Sequence, residues 1–452
     1  MKKKVYRVRG KYLDEYGRGV VSFNHSMIPV PGLLPGELAQ ITLYRKGPQT
    51  LGRLESVLEK SPEREENICP YFEKCGGCQI YHMKYDCQLD YKTGQVARLF
   101  DRFKNIPGTL GMEDPYGYRH KVHASFGKDR HGKVIAGIYE EGTHRLLPVD
   151  QCRIQDPAAN EVIRAILEAM ERFKIQPYNE DTGTGMLRHV LIRTGYKTGQ
   201  MMVVPVAASL DFPQGEALVH FLVKRFPKIT TIVFNKNNGK TSMVLGHQQR
   251  VVFGRGYIED ILCGMKFRIS PKSFYQVNPP QAEVLYEKAL AMAGITKNDR
   301  VLDTYCGTGT ITLISAKYAG FVTGVELNRD AVKDARFNAA QNHVENAEFV
   351  CADAAAYMGQ IAVDFKEEKY YNVVIMDPPR SGSNPEFLKA LARMKPERIV
   401  YISCNPMTQK RDVALLNRYG YGIRGICPVD MFPMTAGIEN IVLLQRRREA
   451  SK

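Results

Sequence analysis

From about residue 298 onward, short unbroken apolar runs alternate with stretches of helical periodicity. The runs predict strands over Asp299–Asp303, Phe321–Glu326, Glu348–Ala352, Tyr371–Asp377 and Arg398–Ser403. A helix through Ala319 and another over Arg329–Asn342 fill the first gaps. Continuous apolar strands joined by helices make an α/β, Rossmann-like, doubly wound parallel sheet, because such strands are buried on both faces. Upstream the pattern differs. Gly17–Phe23 and Leu38–Tyr44 read as short strands between the turn signals Pro31-Gly32, Pro35-Gly36 and Gly47-Pro48, the spacing of a small OB-like β-barrel. The middle of the chain mixes a helical stretch, Glu161–Phe173, with strands over Leu187–Arg193, Gln200–Val206 and Thr230–Asn235, an α+β region without a fold signature. Three domains are expected: 1–58, 59–265 and 266–452.

Composition narrows the partners. The 452 residues are 44% hydrophobic and 25% charged, ordinary for a globular protein, but the net charge is +15. Residues 2–57 alone carry ten Lys and Arg against four Asp and Glu. Such an excess favours a polyanion, whose counterions are released on binding, and a basic barrel suits a nucleic-acid backbone. The N-terminus lacks an apolar core segment, and no run approaches the roughly 18 apolar residues of a membrane span. A cytoplasmic monomer without membrane contact is expected, so the ten cysteines read as core residues, ligands or catalysts, not disulfides.

Ligands of open α/β sheets bind beyond the carboxyl ends of the strands, where Asp303, Glu326, Asp377 and Cys404 all fall. Gly307-Thr308-Gly309 opens a helix and lets the backbone approach a ligand; Glu326, ending the next strand, suits the two hydroxyls of a ribose. The missing third glycine and the later motifs favour S-adenosylmethionine over a nicotinamide dinucleotide. Asp353 falls where an adenine would lie. Asp377-Pro378-Pro379 holds a carboxylate rigidly at the sheet edge, and Asp before Pro-Pro fits carbon methylation.

The sharpest motif is Ser403-Cys404-Asn405-Pro406. A thiolate that adds to C6 of a uracil makes C5 an enolate carbon, reactive toward an electrophilic methyl group. A base must then remove the C5 proton before the thiolate leaves, and Glu439, before the terminal strand Ile441–Leu444, is the candidate. Phe274 is placed to stack on an extruded base and Arg380 to hold a phosphate. Tyr118-Arg119-His120-Lys121 and Leu187-Arg188-His189 mix cations with flat rings, as RNA-binding surfaces do. Cys69, Cys75 and Cys78, with Gly76-Gly77 between the last two, bring three thiols together; Cys152 completes four, with Cys87 the weaker fourth. Four thiolates fit either a [4Fe-4S] cluster or a structural zinc.

With these motifs the chain resembles the S-adenosylmethionine-dependent RNA uridine-5-methyltransferases over nearly its whole length. Its N-terminal segment resembles a TRAM domain and its cysteine stretch that of the ribosomal-RNA members. The resemblance implies Cys404 as nucleophile and Glu439 as proton acceptor. It implies cofactor contacts at Gln276, Tyr305, Glu326 and Asp377, and a [4Fe-4S] cluster on Cys69, Cys75, Cys78 and Cys152. The expected substrate is 23S rRNA, with tRNA as the alternative. An inactive RNA-binding assembly factor and a cytosine-5 methyltransferase are the other readings. One departure is Gly437, where the family often has histidine two residues before the glutamate.

Overall fold

The computed structural model describes residues 4–143, 145–363 and 371–447. Lys2 and Lys3 of the basic N-terminal module and residues 448–452 of the third segment lie outside the described residues.

The N-terminal strands pair as two three-stranded antiparallel sheets. One orders Val5–Arg9, Leu38–Lys46 and Gln49–Glu59; the other orders Tyr12–Leu13, Gly19–Phe23 and Ser26–Val30. Val8, Val21, Val30, Leu33, Ala39 and Ile41 form their common core. The two sheets touch closely at Gly52, where a Cβ would lie 2.7 Å from the Val30 side chain. The expected barrel is therefore two sheets packed on one core, not a single hydrogen-bonded ladder.

A single turn of helix, Phe72–Cys75, ends at Gly76 in the left-handed region (φ 67°), and the helix Tyr85–Leu99 follows. The middle region builds a seven-stranded sheet. Its order is Gln248–Gly254, Ile229–Lys236, Met201–Ala207, Leu187–Thr194, Lys121–Lys128, Val134–Tyr139, Leu146–Pro148. Only Met201–Ala207 and Ile229–Lys236 run parallel, as the crossover helix Gly215–Arg225 between them requires. The helix Pro157–Arg172 packs on this sheet through Val162, Ile163, Ile166 and Met170, its N-terminus capped by the Asp156 carboxylate.

Leu187–Thr194 is buried at all eight positions. That corrects the expected RNA surface at Leu187-Arg188-His189. The Arg188 guanidinium is consumed by Asn237, Gly239, Thr241 and Glu180, and His189 Nδ1 pairs with Ser125 Oγ at 2.9 Å. Tyr118 is buried too, donating its hydroxyl to Pro433 O.

The C-terminal sheet has seven strands. Their order is Ala347–Cys351, Phe321–Glu326, Arg300–Asp303, Val373–Met376, Arg398–Ser403, Glu439–Arg446, Tyr421–Val429. The first five are parallel; Glu439–Arg446 runs antiparallel to them, and Tyr421–Val429, antiparallel to it in turn, runs in their direction, a reversal the repeated strand–helix pattern does not announce. Leu191, Met202 and Val204 of the middle sheet share one apolar core with Phe267, Tyr275, Val301 and Val400. The two sheets are thereby fixed to each other. No helix among the described residues is long and apolar enough to cross a membrane.

Candidate active site

The strand ends bring the predicted residues to one edge. Glu326 is oriented by backbone amides: Gly307 N donates to Oε2 at 3.1 Å and Asn328 N to Oε1 at 2.7 Å. The carboxylate retains lone pairs for a diol. Gly307 has φ 53° with nothing within 4 Å of a built Cβ, so its backbone borders open space. Gly309 (φ 83°) is different, since a Cβ there would meet Phe349 at 2.9 Å. Tyr305 stacks tilted on Phe387, ring centroids 5.3 Å apart, with its hydroxyl 3.3 Å from Ser383 Oγ. Asp353 is exposed and accepts from Ala356 N.

Asp303 is fully buried. Thr312 donates to Oδ2 at 2.7 Å, while Oδ1 has no partner. Burial, and behind it Glu326, push this carboxyl up to about 7. Asp377 is likewise pushed up to about 7 by burial and then by Asp303. Two buried carboxyls, one of which raises the other, form a site for a cationic group. The sequence places Asp303 at a ligand-binding strand end but assigns it no role, because an acid ending a first strand has no distinguishing neighbour.

Its effect on stability is directly testable. The folded-state value lies above the ordinary 3.8, so this group's favourable contribution is complete below pH 4 and is lost as pH rises through 7. Asp303→Asn, which keeps the acceptor for Thr312, is expected to raise the melting temperature at pH 8 by the equivalent of about 1–3 kcal/mol, and by clearly less at pH 5, where only part of the contribution has been lost. Thermal melts at the two pH values check this, and equal shifts at both would count against it.

Cys404 follows the strand Arg398–Ser403 and precedes the helix Pro406–Arg418. Asn405 caps that helix, its Oδ1 accepting from Met407 N at 3.1 Å, while its Nδ2 and the Thr408 hydroxyl both hold Arg380 O. The half-buried thiol thus sits at the positive end of a helix. Against this, burial first, then Glu439 and more weakly Asp377, push it up to about 11, and the Arg380 side chain, hydrogen-bonded to it, pulls it down. Arg380, read in the sequence as a phosphate holder, is therefore placed against the thiol.

Glu439 opens the strand Glu439–Arg446; the sequence placed it just before that strand. Ser403 pairs with Asn440, and the same antiparallel register continued by one residue sets Glu439 beside Cys404. Its Oε2 is buried without a partner. Burial, then Asp377, raise it well above the usual carboxylate range, with Arg380 opposing. Gln276 is buried and bonded to Tyr286, whose hydroxyl lies among Asp377, Glu439 and Asp303. The loop carrying it is tied down by Arg193, which donates to Ser273 O. Phe274 on the same loop is 67% exposed, so its ring is not part of the core. At Gly437 a Cβ would stand 3.2 Å from Thr435 Oγ1 and 3.4 Å from Phe432, so a histidine would enter a tight space.

Cys69, Cys75, Cys78 and Cys152 line one cavity, together with Phe72, Tyr81 and others. Burial, then one another, raise the Cys78 thiol, and burial raises Cys75 and Cys152. A dry set of mutually repelling acids calls for a cationic occupant, so the donor set fits a metal or cluster. Among the described residues, however, no three His, Cys, Asp or Glu side chains are drawn into a metal-ligand arrangement. The expected ligand set shares a cavity without closing into a shell, since neutral thiols do not draw one another together.

The fold and this edge define an S-adenosylmethionine-type methyltransferase architecture with a cysteine at the reaction end. A family model described as tRNA (uracil-5-)-methyltransferase matches residues 242–447. A Clostridium acetobutylicum protein described as an uncharacterized RNA methyltransferase is 39% identical, covering 96% of each chain. A Staphylococcus epidermidis protein of the same description is 41% identical, covering 97% of each. Among solved structures, the Pyrococcus abyssi tRNA (uracil-54, C5)-methyltransferase in complex with S-adenosyl-L-homocysteine superposes with a TM-score of 0.80 at 29% identity, over 97% of this chain and 99% of that one. The chain belongs to the tRNA/RNA uracil-5-methyltransferase family.

Proposed function

We propose that this enzyme transfers a methyl group from S-adenosylmethionine to C5 of a uridine in RNA through a covalent adduct between Cys404 and C6, acting as a cytoplasmic monomer. The observation that carries the reading is the shared edge of Cys404, Glu439, Asp377 and Arg380, where Cys404 and Glu439 stand opposite each other in the continued strand register and Asp377 and Arg380 act on both. The cofactor supplies an electrophilic methyl on a sulfonium. Glu326 holds its ribose and Tyr305 its adenine side, while Asp377 and Gln276 orient the cationic end. Arg380 stabilises the thiolate of Cys404 for addition to C6. Glu439, kept basic enough to accept a proton near neutral pH, removes the C5 proton; its electron pair restores the C5–C6 double bond and the C6–S bond breaks.

The substrate proposed is 23S rRNA, reached by a TRAM-like N-terminal module and the cysteine segment. The likeness of almost the entire chain to a tRNA-acting protein favours a second reading, tRNA. Mapping 5-methyluridine in 23S rRNA and tRNA from a strain lacking the gene tests both: loss from one pool assigns the substrate, and loss from neither defeats the proposal. The cavity of Cys69, Cys75, Cys78 and Cys152 is proposed to hold a [4Fe-4S] cluster, with zinc as the alternative. Anaerobically purified protein is expected to be brown and to carry iron, and Cys75→Ser to lose both colour and iron; stoichiometric zinc without iron would overturn the cluster.

A further inference from the structure

The run Asp430–Gly437, which leads into Glu439, is held largely by the N-terminal half of the chain. Lys92 and Asp430, both fully buried, pair at 2.5 Å, and Lys92 Nζ also donates to Phe432 O at 3.1 Å. The Tyr85 hydroxyl donates to the other Asp430 oxygen at 3.1 Å. Gln88 Oε1 accepts from Met434 N at 2.9 Å while its Nε2 donates to Met83 O. Ile80 N donates to Met434 O at 3.1 Å, Ala436 N to Gln79 Oε1 at 3.3 Å, and the Tyr118 hydroxyl to Pro433 O at 2.9 Å.

Met434 itself has φ 68°, a left-handed conformation that a residue with a side chain keeps only where its surroundings impose it. That side chain is buried in a cluster with Tyr81, Tyr118 and Ile154, against which Cys69, Cys78 and Cys152 also pack. The strand ending at Cys404 is fixed by other means, sheet pairing through Ser403 and the Asn405 cap. Glu439 shares that sheet pairing through Asn440 and takes the Asp430–Gly437 run as a further support that Cys404 does not have.

We propose that Lys92, Gln88, Tyr118 and Met434 are positioning residues for Glu439, and that through Met434 the cysteine cavity is mechanically tied to proton removal from C5, not to thiolate addition. The proposal rests on the roles given to Cys404 and Glu439 above. In the step concerned, the C5–H bond breaks toward the Glu439 carboxylate, its electron pair forms the C5–C6 double bond, and the C6–S bond breaks to return the thiolate. A displacement of the carboxylate by about 1 Å is enough to slow this step by about 10²-fold while leaving addition intact.

The test uses full-length Met434→Ala, its conservative counterpart Met434→Leu, and Tyr118→Phe, which deletes only the hydroxyl bonded to Pro433. Each is mixed with substrate RNA and cofactor. First-turnover formation of denaturant-resistant adduct, its steady-state fraction and turnover are measured, with thermal melts alongside. Met434→Ala is expected to form adduct at the wild-type rate, to hold a severalfold larger fraction of enzyme as adduct, and to turn over about tenfold more slowly. Met434→Leu should restore both, and Tyr118→Phe should move in the same direction by less. Adduct formation and turnover falling together, in proportion to lost folded protein, would overturn the proposal, as would unchanged behaviour of both Met434→Ala and Tyr118→Phe. A wild-type enzyme that forms neither adduct nor 5-methyluridine overturns the parent reading and this one with it.

Discussion

Cys404→Ala is expected to abolish tritium release from RNA carrying [5-³H]uridine, by at least about 10⁴-fold, with folding intact. Uracil C5 is too poor a nucleophile to take a methyl group unaided, and Cys404 places a half-buried, polarisable thiol at a helix N-terminus, whereas Cys306 at the neighbouring helix is buried. The thiol is half-buried, so truncation to alanine removes little packing and stability should move by less than about 0.5 kcal/mol. With its ionisation pushed up to about 11 in the free protein, only on the order of 10⁻⁴ of Cys404 is thiolate at pH 7. Adduct formation in the wild type should therefore rise about tenfold per pH unit between 7 and 9. Arg380→Ala, which removes the one cation pulling the thiol down, should slow it across that range. Tritium release persisting in Cys404→Ala removes this residue from the mechanism.

The predicted site was legible because parallel strands buried on both faces write themselves as apolar runs with sharp ends. Phe321–Glu326 and Arg398–Ser403 form over the predicted residues, and the neighbouring strands fall within a few residues of expectation. Function collects at such ends, so Glu326, Asp377 and Cys404 were visible from the runs alone. Tyr421–Val429 was not, since Gly422, Gly425 and Pro428 dilute its strand character. The direction of a strand leaves no mark on periodicity, which hid the reversed strand Glu439–Arg446, whose expected bounds Ile441–Leu444 left Glu439 two residues outside.

The middle region misled in a different way. Arg188, His189 and Arg193 sit in a strand buried throughout, yet the basic pair Arg188-His189 reads as a surface. Their burial depends on acceptors far along the chain: Asn237 and Gly239 for Arg188, Ser273 for Arg193. Lys92 and Asp430, fully buried and 338 residues apart, carry no local signal at all. Long-range satisfaction of buried polar groups is a property of the assembled fold, and contacts of that kind reveal that the run leading into Glu439 is held from the other end of the molecule.

Glu439→Gln should leave addition and methyl transfer in place and halt the reaction one step later. RNA and enzyme would accumulate as a covalent complex that survives denaturation, and turnover would fall by about 10²–10⁴-fold. The carboxyl is buried, raised well above its ordinary range by burial and by Asp377, and one oxygen has no partner. A neutral amide of the same shape is thus tolerated where a charge is costly, and the folded protein should lose little stability. Glutamine cannot accept the C5 proton, so the electron pair that must expel the thiolate stays in the C–H bond. The step also has a pH signature. Glu439 ionises above the ordinary carboxylate range, so wild-type turnover should climb as pH rises through that ionisation, while the small residual turnover of the amide variant should lack the rise. A variant that turns over normally and leaves no adduct on a denaturing gel would assign the proton to another base, and Asp377, the neighbouring carboxyl, would be the next to replace.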